Sequence, residues 1–214
     1  MKYIRSVNGP IAENAYIVYD ELSKIAGIID PGFIELSELA DKIEEYQLNL
    51  KYIINTHGHW DHIKNNYFIK SKYNCSVLIH KQDEHFIQKP ENMNTYYFDG
   101  EILPVKADDY LIDGEEIAFG KSLLKILHAP GHTRGSVILY NDELAFTGDT
   151  LFYGSIGRCD FPTGNKDVMI DTLEKIKRVL PATAIILPGH GVQESRFQEE
   201  LVTNPFLTGK MKPR

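Results

Sequence analysis

The chain has 214 residues, 43% hydrophobic and 25% charged, which suffices for a proper core and for one or at most two domains. Its net charge of −7 carries no basic stripe, which excludes an electrostatic nucleic-acid binder, and no apolar run reaches membrane-spanning length. Two distant cysteines, Cys75 and Cys159, leave a structural disulfide open without implying one, and residues 1–5 do not read as a signal peptide, so a cytoplasmic protein is expected, with any metal site built from His and Asp.

Residues 3–7, 15–19 and 24–30 read as short strands, the last two joined by a turn at Asp20-Glu21. Pro31-Gly32 ends the third abruptly and leaves Asp30 at its tip. Residues 34–47 have helical spacing, with Leu36, Leu39, Ala40, Ile43 and Tyr46 on one stripe. Residues 52–54 form an apolar strand that delivers His57, followed by a short helix at 65–72 and a strand at 76–80. From 88 to 109 the pattern breaks at Pro90, Asn92, Asn94, Gly100 and Pro104. A loop this long is either a lid, with Tyr96-Tyr97-Phe98 covering a pocket, or a loop anchored to the body. Strands follow at 116–119, 123–128, 136–140 and 143–146. An amphipathic helix at 168–180 places Ile170, Leu173, Ile176 and Val179 in phase, and 184–187 is a last apolar strand. Strands, helix and strand occur twice, which predicts two similar β/α halves packed sheet against sheet.

Residues 57–62 read His-Gly-His-Trp-Asp-His. Three imidazoles and a carboxylate in six positions are too dense for ordinary surface and too polar for a core; metal binding explains them most simply. Gly58 is expected to let the turn bend, and Trp60 to pack. Further polar residues sit just past apolar strands beside Gly or Pro: Asp30, His132, Asp149 and His190. Loops at one end of a sheet converge, so these residues can share one site. His57, His59 and His132 can hold one ion, Asp61, His62 and His190 a second, and Asp149 can bridge them, leaving each ion an open position of the catalytic kind. Asp30 reads as an orienting carboxylate. Single histidines after strands are usually structural, so His80, His85 and His128 are taken as non-ligands.

Taken in order, Asp30, His57-x-His59-x-Asp61-His62, His132, Asp149 and His190 resemble the signature of the metallo-β-lactamase fold hydrolases. That resemblance implies an α+β, αββα four-layer sandwich in one domain over residues 1–214. Two mixed sheets would pack face to face with helices outside, and a dinuclear centre would lie at one edge. It implies the ligand division just given, with two divalent ions, zinc first and iron or manganese also compatible. Within the superfamily, residues 56–62, 129–133 and 146–152 are similar to the glyoxalase II branch, and 154–162 to its short members. The implied activity is hydrolysis of a thioester such as S-lactoylglutathione by a metal-bound hydroxide. Asp61 would orient the nucleophile while remaining a ligand. The implied partner is a small-molecule thioester such as a glutathione conjugate, with no nucleic acid and no membrane. Arg158 aligns with a basic substrate-binding position, where it would grip a substrate carboxylate; pairing with Asp160 is the alternative. Val192 stands where the longer glyoxalase II enzymes carry an aromatic residue, which leaves the thiol carrier open. The rival activity is that of a mononuclear iron persulfide dioxygenase, with His57, His132 and Asp149 as its two-His-one-carboxylate set. Lactone or lactam hydrolysis is a further option.

Overall fold

The computed structural model describes residues 1–90, 100–191 and 193–213. Its first sheet runs in the order β1 (Lys2–Asn8), β2 (Glu13–Tyr19), β3 (Ile25–Ile29), β4 (Asn49–Ile54), β5 (Ser76–Ile79) and β6 (Asp109–Tyr110). The first three strands pair antiparallel, and β3 through β6 pair parallel, so both pairing types share one sheet. Parallel neighbours need crossovers. These are α1 (Leu36–Glu45) between β3 and β4, and α2 (Trp60–Ile63) with α3 (Asn66–Tyr73) between β4 and β5. A short helix, α4 (Glu84–Gln88), follows β5. The second sheet contains β7 (Glu116–Phe119), β8 (Ser122–His128), β9 (Val137–Tyr140) and β10 (Leu144–Gly148). After β10 come a small hairpin, β11 (Leu151–Phe152) with β12 (Ser155–Ile156), and helix α5 (Lys166–Val179). The sheet is completed by β13 (Ile185–Pro188), parallel to β10, and the edge strand β14 (Ser195–Arg196); α6 (Phe197–Thr203) closes the element order.

Side-chain alternation sets the layers. In β2 every residue is buried, because both faces of the sheet are covered. Ala15, Ile17 and Tyr19 join Ile28, Ile53 and Val77 against Leu39 of α1 and Ile69 of α3. Tyr16 and Val18 point the other way, with Ile29, Ile54 and Leu78, onto Phe119, Leu124, Leu139 and Phe146 of the second sheet. On the far side of that sheet, Ile138, Ala145 and Ile186 meet Leu173 and Ile176 of α5 and Phe197 of α6. The result is the expected αββα sandwich.

Two details differ from the sequence expectation, and a third decides between its alternatives. Helix α1 is shorter than 34–47, because Gln47 turns into the left-handed region at φ 54°. The buried face of α5 is Met169, Thr172, Leu173 and Ile176, while Ile170 and Val179 stay 40% and 37% exposed. The spacing i, i+3, i+4, i+7 from Met169 is the tighter apolar stripe, and the Asn165 side chain, accepting from the Asp167 and Val168 amides, starts the helix. Within the 88–109 segment, Ile102, Val105 and Ala107 pack into the core, with the Val105 amide bonded to the Ile87 carbonyl. That part is anchored to the body; Tyr96-Tyr97-Phe98 lie outside the described residues.

Candidate metal centre

The parallel strands of the two sheets end at one edge, and each ends in a polar loop. Beyond β3, Asp30 takes a left-handed conformation, φ 48°, that a short polar side chain tolerates. Its carboxylate accepts from the Thr56 amide (2.7 Å) and the Thr56 hydroxyl (2.6 Å), fastening the tip of β3 to that of β4. His57 follows Thr56, and the single turn of α2 then presents Asp61 and His62 side by side. Gly58 has a different use from the bend expected of it. A Cβ there would collide with the Phe86 ring, so its bareness is needed for the approach of α4. Strand β8 leads to His132. Strand β10 ends at Gly148, φ 49°, where a Cβ would strike Thr56, and delivers Asp149. Strand β13 leads to His190, on a loop clamped from β2. The Asn14 amide group donates to the carbonyls of Pro188 (2.9 Å) and Gly191 (2.7 Å), and the Tyr16 hydroxyl to Pro188 (2.8 Å).

All seven side chains meet. His59 Nδ1 lies 3.1 Å from His57 Nε2 and 2.8 Å from His132 Nε2. In a second group, Asp61 Oδ2 lies 3.1 Å from His190 Nε2 and 3.3 Å from His62 Nε2. Asp149 sits between the groups: Oδ1 is 3.5 Å from His62 Nε2, and Oδ2 is 3.5 Å from both His132 Nε2 and His190 Nε2. Candidate donor atoms within each triad lie within 4.8 Å of one another. Asp30 is also near His57 and His62, but Oδ2 faces His62 Nδ1 (3.1 Å), the nitrogen turned away from the rest of the cluster. Its place beside His62 Nδ1 is compatible with an orienting carboxylate.

The donor set fits cations. His132 Nδ1 donates to the Arg158 carbonyl (2.8 Å), His190 Nδ1 to the Ile11 carbonyl (3.3 Å), and His57 Nδ1 faces the Thr56 hydroxyl (3.1 Å). With the proton held on Nδ1, each Nε2 lone pair points inward. Lone pairs less than 3.2 Å apart repel unless something positive lies among them. His62 Nε2 and Asp149 Oδ1 are moreover buried with no hydrogen-bond partner. Burial, then the charges of neighbouring imidazoles, holds His57 and His59 well below the ordinary histidine range, so these rings stay neutral and ligand-ready. Burial opposes a charged His62, yet Asp61, Asp149 and Asp30 together raise it well above that range. Burial would raise Asp61, but His62 and His190 carry it well below the usual carboxylate range.

The cluster forms the floor of a cavity of about 1020 Å³ walled by Ile11, Phe86, Phe152, Ile156 and Phe161. Arg158 lines it, with its guanidinium doubly bonded to Asp160 (2.6 Å each) and over the Phe161 ring at 4.4 Å. The Asp160 pairing considered from sequence is therefore present. His80 and His128 stack on each other, 4.1 Å between centroids, and with His85 they stand outside the three groups. Trp60 packs in the core against Phe33. Both cysteines are buried and free. Val192 lies outside the described residues.

Sequence reasoning missed two buried acids. Asp83 accepts from the Gly58 amide (3.0 Å), the Gly135 amide (2.8 Å) and the Thr133 hydroxyl (2.6 Å), joining the His57–His62 turn to the His132 loop. Glu13 lies 3.7 Å from His62 Nδ1, and burial pushes its carboxyl well above the ordinary range. Neither carries a local motif that sets it apart from a surface acid.

Comparison with known proteins gives the family of the chain. Residues 8–190 match the family model of the metallo-beta-lactamase superfamily. The chain is 35% identical to the hydroxyacylglutathione hydrolase GloC of Haemophilus influenzae, over 92% of this chain and 94% of that one. Among solved structures, the BLEG-1 B3 metallo-beta-lactamase superposes with a TM-score of 0.87 at 30% identity, covering 97% of this chain and 100% of the other. ETHE1 from Myxococcus xanthus gives 0.78 at 25% identity, covering 98% and 85%. No helix among the described residues is long and apolar enough to cross a membrane.

Proposed function

The chain belongs to the metallo-β-lactamase superfamily, and from that premise we propose that it is a metal-dependent hydrolase cleaving a thioester such as S-lactoylglutathione. The observation that carries the reading is the Asp149 carboxylate, one oxygen toward His62 and the other toward His132 and His190. In this reading His57, His59 and His132 hold one divalent ion, and Asp61, His62 and His190 the other. Asp149 spans them. A pair of ions so held supplies Lewis acidity toward a carbonyl oxygen and a water that ionises near neutral pH.

The protein's own groups do the rest. Asp30, Thr56 and the carbonyls of Ile11 and Arg158 keep the imidazoles turned inward, so no reorganisation is needed at the moment of reaction. Asp61, kept ionised by its two histidine neighbours, orients the nucleophile while remaining a ligand. The apolar walls exclude bulk water and receive the acyl and carrier arms. Arg158, on the cavity wall, grips a carboxylate of the carrier when Asp160 shares it. Neither thiol is the nucleophile: burial pushes Cys75 and Cys159 up to about 11. A departing thiolate is a stable anion, so no general acid is required.

The relative's printed name, a hydroxyacylglutathione hydrolase, supports the thioester. The close superposition on a B3 metallo-beta-lactamase favours a second reading, lactam hydrolysis in the same cavity. The test is a panel of S-lactoylglutathione, simple acyl thioesters, a lactone and a β-lactam, run with measured metal occupancy. Thioester turnover exceeding the others is expected. Oxygen uptake with glutathione persulfide, without thioester cleavage, would replace the reading with the dioxygenase.

A further inference from the structure

Glu13 presents an anomaly that ligand orientation by Asp30 and the backbone carbonyls leaves unexplained. It is fully buried, and apart from the neighbouring Asn8 side chain its carboxyl oxygens have no close hydrogen-bond partner among the described residues. Buried polar atoms are almost always paired, so one that is not calls for a reason. Its neighbours supply one. Oε1 lies 3.7 Å from His62 Nδ1. Oε2 and the Asp61 carbonyl both crowd the space a Cβ on Gly32 would take, and the Gly32 amide is bonded to the His62 carbonyl (3.1 Å). The Glu13 side chain thus packs into the back of the turn that carries Asp61 and His62. Its main chain does something different: it forms an isolated antiparallel bridge with His190, continued by the Asn14 amide on the Gly189 carbonyl (2.7 Å). One residue therefore holds the α2 turn with its side chain and the His190 loop with its backbone. Those elements supply all three members of the second triad. The His57–His59–His132 triad is tied together elsewhere, through Asp83.

We propose that Glu13 is a positioning residue that sets the Asp61–His62–His190 site, so that it governs binding of the second ion independently of the first. The inference rests on the reading that this triad binds an ion. Asp30 and Glu13 both face His62 Nδ1, at 3.1 and 3.7 Å, and Glu13 adds a backbone bridge to His190 that Asp30 does not make.

The experiment is a titration of the chelator-stripped full chain with Zn²⁺, followed by calorimetry and by metal counting after dialysis. Wild type is expected to show two steps. Glu13→Ala should leave the first unchanged and weaken the second about tenfold or more, the range seen when a ligand loses its outer partner. Glu13→Gln, which keeps the side-chain volume, should return the second step to near wild type. A merely structural loss would weaken both steps and lower the melting point of the stripped protein. An unchanged second step in the alanine variant, or an equal loss of both, overturns the proposal. So does a glutamine variant as weak as alanine, because the effect would then lie in the acid and not in its place. Should the alanine variant not fold, Glu13→Asp, which retracts the carboxyl by one methylene, carries the same outcomes. If wild type itself takes up no second ion, the reading of the site has failed rather than the role of Glu13.

Discussion

Replacing Asp83 tests how the His57–His62 turn and the His132 loop of the candidate metal centre are held together. Its carboxylate is fully buried and accepts three hydrogen bonds, from Gly58, Thr133 and Gly135. In Asp83→Ala the Thr133 hydroxyl keeps a second partner, Ser136 Oγ at 2.8 Å, so its loss is softened. The two backbone amides have no substitute acceptor among these groups. Each orphaned buried donor costs about 1–3 kcal/mol, which gives roughly 2–6 kcal/mol, centred near 4. Against a total stability of about 5–15 kcal/mol this is a large fraction. For a chain of this length each kcal/mol lowers Tm by about 2–4 °C, so a fall of roughly 8–16 °C is expected. Asp83→Asn keeps one acceptor oxygen and turns an NH₂ toward the remaining donors, and should recover only part of the loss. Urea unfolding of the metal-stripped proteins measures it without contribution from bound ions. A loss under about 1 kcal/mol for the alanine variant would refute the reasoning, because it would mean that water replaces the carboxylate at no cost.

Three other outcomes follow from the site. Asp149→Asn withdraws half of a carboxylate that faces both triads, so metal content and thioesterase activity should fall together; full activity at normal metal content would contradict the bridging position. Arg158→Ala removes the guanidinium but not the carbonyl that orients His132, so KM for a carboxylated thioester should rise several-fold with kcat little changed, and a loss confined to kcat would refute substrate gripping. The metal-stripped protein should be most stable near pH 6.5. His57 and His59 are lowered, so the unfolded chain binds more protons below 6.5 and stability is lost as pH falls. His62 and His190 are raised, so the folded chain binds more protons above 6.5 and stability is lost as pH rises. A Tm that is flat or monotonic between about pH 5 and 8 would show that these shifts do not act on folding.

The sequence by itself determined the candidate ligand types and their places. His57, His59, Asp61, His62, His132, Asp149 and His190 each stand just past an apolar strand, and strand ends are set by local pattern: β-branched runs stopped by Gly or Pro. The two-sheet layering was legible for the same reason, since strand periodicity and burial on both faces are written residue by residue. Only the tertiary structure decided what holds those side chains. Thr56 with Asp30, Asp83 with Gly135, Asn14 with Gly191 and Glu13 with His190 are partners 26, 52, 177 and 177 positions apart. Nothing local distinguishes such an acid from one on the surface; what makes it structural is the burial that the packing of the two sheets imposes. The same holds for α5, whose apolar residues admit two phases until the sheet beneath selects Met169 over Ile170. Periodicity is a property of neighbours in the chain, whereas desolvation and the pairing it demands belong to neighbours in space.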